Sequence, residues 1–255
     1  SDAVNIQTVA VKKGDYYVVN GTKMFITNGS VANTIVLYAK TDKERGARGI
    51  TAFILDTSFP GFSVSKKLKK VGHRGSATAE LVLEDCMIPA ENVMGEENKG
   101  IHVMMSGLDV ERSFYAGESL GIAEACLDLS IKYAKERVQF GKPIGAFQLI
   151  QAKLADMYTY IEAGRMLCYR AAVVADKASR GGKGTEVHKL AAASILFNAE
   201  MATRIADQAV QIHGGYGYMD EYPVQRFLRD AKLIEIGAGT SEIRRLIIAR
   251  EMLGM

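Results

Sequence analysis

Two rhythms of apolar and polar positions divide the chain. Up to about Val93, short runs rich in β-branched and aromatic residues recur as VNIQTVAV, YYVVNG, TKMFITNG, NTIVLYAKT, GITAFILD and TAELVLEDCMI. The turn signals KKGD, NG and FPG separate them, and short strands at this spacing predict a small sandwich or barrel. From about Gly100 the apolar period lengthens to threes and fours. MMSGLDVERSFYAGESLGIAEACLDLSIKYAKER, FQLIQAKLADMYTYIEAGRMLCYRAAVVADKAS and EVHKLAAASILFNAEMATRIADQAVQIHG each predict a long amphipathic helix, with a shorter basic helix from Ser241. The expected fold is therefore α+β, a β-barrel or sandwich domain over 1–97 followed by a long-helix bundle over 98–255.

Composition narrows the function classes. The 255 residues are 48% hydrophobic and 24% charged, enough for one large or two ordinary domains. A net charge of +3 is too small to argue for nucleic acid. Cys86, Cys126 and Cys168 lie far apart without a CxxC or metal spacing, so they read as reduced structural thiols in a cytosol-like compartment, and no metal is expected. No apolar run approaches the ~20 residues a bilayer requires, so no membrane partner is expected. The opening SDAVNIQTVAV lacks a methionine and starts inside a strand-like pattern, as a piece of a longer protein would.

The stretch IEIGAGTSEIRR, residues 234–245, has the character of a ligand loop. Gly237, Ala238 and Gly239 leave backbone amides uncovered ahead of Thr240, Ser241 and a helix start. The loop contains no acid or base, so any proton transfer there needs a group from elsewhere. QIHGGYGY is also glycine-rich, but it follows a helix rather than a strand, which argues against a dinucleotide-fold phosphate loop. Its His213 reads as a packing or backbone-bonded histidine.

KMFITNG, ERVQFGKPI, QIHGGYGYMDEYPVQRFLRDAK and IEIGAGTSEIRR follow one another in that order, the last three at helix boundaries. Together they make the chain resemble the flavin-dependent acyl-CoA dehydrogenases along its whole length. The resemblance implies a middle β domain and a C-terminal bundle, with the family's N-terminal helical domain absent. It also implies FAD as cofactor, acyl-CoA as substrate, an electron-transfer flavoprotein as partner and a homotetramer built as a dimer of dimers. The implied location is cytoplasmic, or the mitochondrial matrix in a eukaryote.

Flavin contacts carry over onto Phe25, Thr27, Arg137, Gln139, Phe140, Gln211, Gly214, Gly215, Thr240 and Glu242. Period-two alternation would send Phe25 and Thr27 to one face, where a ring and a hydroxyl meet a flavin edge. An ordinary hairpin with Thr27 facing water is the plain alternative. Arg137 suits a pyrophosphate because its fork pairs with phosphate oxygens. A solvated helix end capped by Gly141 is the plain alternative there. In the family the segments around Arg137 and Gln211 reach the dinucleotide of a neighbouring subunit.

Substrate contacts carry over onto Ser1, Arg112, Tyr115, Ile234, Ala238 and Gly239. Most family members place the catalytic Glu where Ala238 stands. One branch, including isovaleryl-CoA and long-chain dehydrogenases, keeps it on a bundle helix within an ERL-like sequence, which DVERSF matches through Glu111. Leu108 and Tyr115 share a helical face with Glu111, an apolar setting that disfavours a charged carboxylate. A surface ion pair is the plain alternative for Glu111. The amide of Ala238 would then bind the thioester oxygen, and Arg112 would contact the CoA phosphates. Ile234 and Tyr115 would line the acyl pocket, although the isovaleryl branch usually has tyrosine at the Ile234 position. Glu118, seven positions after Glu111, reads as a surface ion pair, a polar pocket element or a rival base. Oxidase, desulfinase or reductase chemistry on the same fold, and a noncatalytic oligomerisation module, are the competing readings.

Overall fold

The computed structural model describes residues 2–178 and 182–255. The chain forms two compact units that divide between Gly107 and Leu108. In the first, β1 (Val9–Lys13), β2 (Tyr16–Thr27), β3 (Thr34–Lys40), β4 (Ile50–Asp56), β5 (Phe62–Lys67) and β6 (Thr78–Pro89) form one mixed sheet. Its order is β4-β3-β1-β2-β6-β5. β5 is the strand least visible in the sequence, being six residues of which five are exposed. The two ends of the order meet again in the core, where Phe53 and Leu55 of β4 pack in the same cluster as Phe62 of β5. The sheet therefore curls around a shared apolar interior, with Tyr17 edge-on to Phe53 at 5.0 Å.

YYVVNG and TKMFITNG are not two strands but the single long β2. The dipeptide Asn20-Gly21, which reads as a turn, is a bulge in the β2–β6 pairing, with Gly21 at φ 148°. A Cβ at Gly21 would lie 2.7 Å from Thr8 Oγ1, so the close crossing of Thr8 requires glycine. A second shift between Lys23 and Ile26 inserts Phe25 at φ 60°. Simple alternation therefore does not orient Phe25 and Thr27.

Helix α1 spans Gly100–Glu136, followed by α2 (Gln148–Lys177), α3 (Glu186–His213), α4 (Val224–Ile234) and α5 (Ser241–Leu253). The three long helices lie where the apolar period places them, and the shorter α4 carries the same spacing in Val224, Phe227, Leu228, Ala231 and Ile234, which pack in the core. α3 runs through the middle of the bundle, burying Ala191, Ala192, Ala199, Ala202, Ala206 and Ala209. Small residues let its neighbours approach closely. On α2, a Cβ at Gly164 would sit 2.5 Å from Asn198 Oδ1 and 2.9 Å from Met201 Cε. Asn198 cannot swing away freely, because its amide donates to the carbonyls of Gly164 and Ser194. Gly164→Ala is expected to cost roughly 1–3 kcal/mol through overpacking, read as a lowered urea midpoint at unchanged m value.

Between α1 and α2, β7 (Val138–Gln139) and β8 (Lys142–Pro143) form a small hairpin. Phe140 and Gly141 at its tip have φ of 52° and 76°, the mirror-image turn such hairpins prefer. Gly141 therefore belongs to a hairpin turn and is not a helix cap, since α1 has already ended at Glu136. Cys86, Cys126 and Cys168 are buried and unpaired. Burial raises all three thiols, that of Cys126 to about 12.

Candidate active site

The loop after α4 is held in a strained shape. Ala238 and Gly239 are both left-handed, at φ 53° and 93°, and for an alanine that conformation costs about 1–2 kcal/mol. Two arginines hold it there. Arg112 Nε donates to the carbonyl of Ala238 at 3.1 Å. Arg244 Nη2 donates to the carbonyls of Ile234 and Gly237 at 2.7 and 2.6 Å. Thr240 caps α5, its hydroxyl accepting from the amide of Ile243. With the carbonyls engaged, the amides of Ala238, Gly239 and Thr240 have no protein acceptor among the described residues. They are the donors a polarised oxygen would use.

Arg244 is fully buried, and its Nε and Nη1 have no partner among the described residues. Burial and the nearby charge of Arg112 lower its pKa to about 10. Arg112 is itself only 5% exposed and lies 3.5 Å from Asp109 Oδ1. Here the guanidinium expected at the CoA phosphates is engaged with the Ala238 carbonyl and Asp109. Burial also lowers the pKa of Arg112, against the opposing charges of Asp109 and Glu111. Asp109 is 1% exposed and accepts from His188 Nδ1 at 2.7 Å and from the amide of Gly182 at 2.5 Å. A buried chain of groups thus runs from α3 through α1 to the loop.

Glu111 itself is exposed on α1, so the apolar enclosure expected from Leu108 and Tyr115 is not formed by this chain. Tyr115 stands against the loop, its Cε1 3.9 Å from the position a Cβ on Gly237 would take. Burial raises the Tyr115 phenol, and the charges of Glu118 and Glu111 act in the same direction. Gly239 lies beside Arg112 Nη2. Ile234 is fully buried and packs in the bundle core.

A second feature gathers the predicted dinucleotide contacts. Arg137, Gln139, Gly214 and Gly215 line one cleft of about 540 Å³, with Tyr133, His213 and Tyr216. The Arg137 guanidinium stacks 5.3 Å over Tyr216, and no carboxylate pairs with it among the described residues. Gly214 turns the chain at φ 59° where α3 ends. Gln211 is exposed one turn earlier on α3, and Phe140 at the hairpin tip is 93% exposed outside this lining. His213 is a packing residue, bonded to the Ala209 carbonyl at 2.8 Å and stacked on Tyr133. Burial lowers its pKa.

Thr240 and Glu242 open α5, where the carboxyl of Glu242 is held down by its own backbone amide and by Thr240. In the other unit Phe25 is 75% exposed and Thr27 is exposed at the end of β2. Ser1 lies outside the described residues. Glu118 is exposed on α1. Among the described residues no group of three His, Cys, Asp or Glu is placed to hold a metal. No described helix is long and apolar enough to cross a membrane.

Residues 1–86 match the acyl-CoA dehydrogenase middle domain and residues 98–253 the acyl-CoA dehydrogenase C-terminal domain. The chain belongs to the acyl-CoA dehydrogenase family. It is 54% identical over 252 residues to a mitochondrial isovaleryl-CoA dehydrogenase of Oryza sativa subsp. japonica, covering 99% of this chain and 60% of that protein. An acyl-CoA dehydrogenase of Bacillus subtilis is 46% identical, with 65% of its length covered. Among solved structures, butyryl-CoA dehydrogenase from Megasphaera elsdenii superimposes with a TM-score of 0.94 at 46% identity, over 99% of this chain and 64% of that one. The chain thus spans about 60% of the length of the first of these relatives.

Within this acyl-CoA dehydrogenase frame, four residues were not singled out by sequence reasoning: Asp109, His188, Arg244 and Tyr216. Asp109 and Arg112 carried a faint signal as an acid and a base three apart on one helix. His188 and Arg244 gave none, because an ionic residue in a helix ordinarily faces water.

Proposed function

We propose that the chain serves FAD-dependent α,β-dehydrogenation of a short or branched acyl-CoA thioester, with Glu111 as the base that takes the α proton. One observation carries this reading. The residue next to Glu111, Arg112, holds the carbonyl of Ala238, so the base and the loop amides share a single anchor. Removal of an α proton requires both a carboxylate at that proton and donors at the thioester oxygen, where charge develops. Glu111 supplies the first, and the amide of Ala238 supplies the second. Tyr115, against the loop, would bound the acyl chain.

The cleft fits a dinucleotide. It offers an unpaired guanidinium, glycine backbone without side-chain obstruction at Gly214 and Gly215, and aromatic walls from Tyr133 and Tyr216. Arg137, Gln139, Phe140, Gln211, Gly214 and Gly215 would hold the dinucleotide of a neighbouring copy. Thr240 and Glu242 are the flavin-facing candidates of the helical unit, and Phe25 and Thr27 are those of the β unit. When bound, FAD supplies the acceptor for the hydride that leaves the substrate β carbon. A homotetramer, delivery of electrons to an electron-transfer flavoprotein and, in a eukaryote, a matrix location complete the reading.

The test is anaerobic addition of isovaleryl-, isobutyryl-, butyryl- and octanoyl-CoA to flavin-loaded full-length protein, following loss of flavin absorbance. Rapid bleaching by a short or branched substrate is the expected result, and the fastest one identifies the pocket. No bleaching by any of the four would refute the reaction.

A further inference from the structure

The β unit contains a lysine whose surroundings suit a reactive amine. β1 is only five residues long and pairs with β2 over Tyr16–Asn20. It touches β3 through the single pair Val9 and Lys40. The second half of β2, from Gly21 onward, therefore pairs with β6 alone and faces β3 across a gap. Lys23 fills the gap, its Nζ donating to the Tyr38 carbonyl at 2.6 Å. That carbonyl would otherwise be an unpaired strand acceptor.

Behind the gap lies a cavity of about 230 Å³ lined by Lys23, Ile26, Ile35, Leu37, Phe62 and Leu81, among others. Its walls are almost wholly aliphatic. An apolar cavity of about 150 Å³ holds benzene, so this one has room for a short or branched acyl chain and not for a long one. Of the residues that line it, only Lys23 and Tyr38 titrate, and no carboxylate is among them. Burial raises the Tyr38 phenol, which stays neutral, and lowers the Lys23 amine to about 8.

We propose that Lys23 is a site of Nε-acylation by short-chain acyl thioesters, the transferred acyl chain lodging in the apolar cavity that its side chain borders. The unprotonated amine attacks the thioester carbonyl. A C–N bond forms, the C–S bond breaks, the thiolate leaves, and the amine proton passes to it through solvent. No oxidant or reductant is needed. The acyl donor belongs to the compound class handled in the proposed dehydrogenation, but the modification does not depend on that reaction or on flavin.

At pH 7.5 an amine titrating near 8 is about one quarter unprotonated, against roughly one part in a thousand for an ordinary lysine. Its weaker basicity gives back about tenfold of that advantage. The net expectation is acylation about tenfold faster than at an exposed lysine such as Lys66. The experiment incubates flavin-free protein with S-butyryl-N-acetylcysteamine, which lacks the nucleotide of CoA, and maps acylated lysines by peptide mass spectrometry from pH 7 to 10. Lys23 should lead, its rate levelling above pH 8. A decanoyl thioester should lose the preference, as should Ile35→Phe, which fills the cavity, and unfolding in guanidinium should erase it. Equal rates at Lys23 and Lys66 in the folded protein, or a preference that survives unfolding, would overturn the proposal. A preference retained by the decanoyl donor would overturn the role of the cavity.

Discussion

Glu111→Gln is expected to slow reduction of bound flavin by acyl-CoA by about 10³-fold or more, with little change in substrate affinity. A positioned general base contributes ~10²–10⁴-fold, and the amide of glutamine has the same shape but accepts no proton. The substitution changes an exposed side chain, so the fold is not at stake. The loop should also survive, because Ala238 is held by Arg112 and not by Glu111. The expected pattern is therefore a collapsed single-turnover rate at a nearly unchanged binding constant, the signature of an interaction used only in the transition state. Glu118→Gln is the necessary companion, since the charge of Glu118 also acts on Tyr115. If Glu118→Gln abolishes turnover while Glu111→Gln bleaches normally, the base is Glu118.

Asp109→Asn is expected to destabilise the helical unit by roughly 3–5 kcal/mol, the usual consequence of breaking a buried pair and leaving its partner charge uncompensated. One oxygen of Asp109 faces both His188 and Arg112, and the other accepts the amide of Gly182. Burial pushes this carboxyl up. The hydrogen bonds from His188 and Gly182 and the charges of His188 and Arg112 together outweigh burial, so its pKa lies below the ordinary carboxylate value. The sign of the pH dependence follows. A depressed folded pKa gives stabilisation that is complete above the unfolded value near 4 and is lost as pH falls through the folded one. Urea unfolding from pH 7 down to pH 3 should show an acid-labile component in the natural protein that is missing in Asp109→Asn. A loss below about 1 kcal/mol at pH 7 would mean that desolvation cancels the whole cluster. Because Arg112 links Asp109 to Ala238, the variant should also weaken substrate binding, an effect that pure loss of stability at saturating folding conditions does not produce.

The local rhythm of the chain determined its classes of structure. Apolar residues at threes and fours place α1, α2 and α3, because a helix that buries one face must repeat its apolar positions with the helical turn. The basic helix expected from Ser241 is α5, which begins at that residue. The glycine and alanine of the loop announced uncovered amides. The order of motifs around them carried the family. These signals are local, so adjacent residues suffice to write them.

Tertiary structure decided what each polar group faces. Arg112 and Ala238 are 126 positions apart, and nothing near either residue specifies that one will clamp the other. The same holds for Lys23, which is an ordinary strand lysine until a short β1 leaves a gap beside it. Arg244 reads as half of a basic pair at a helix start, yet folding buries it completely while its neighbour Arg245 stays exposed. Burial, partner and protonation are set by groups that arrive from distant segments only when the core closes, and for that reason the chain pattern located the loop but not the arginines that hold it.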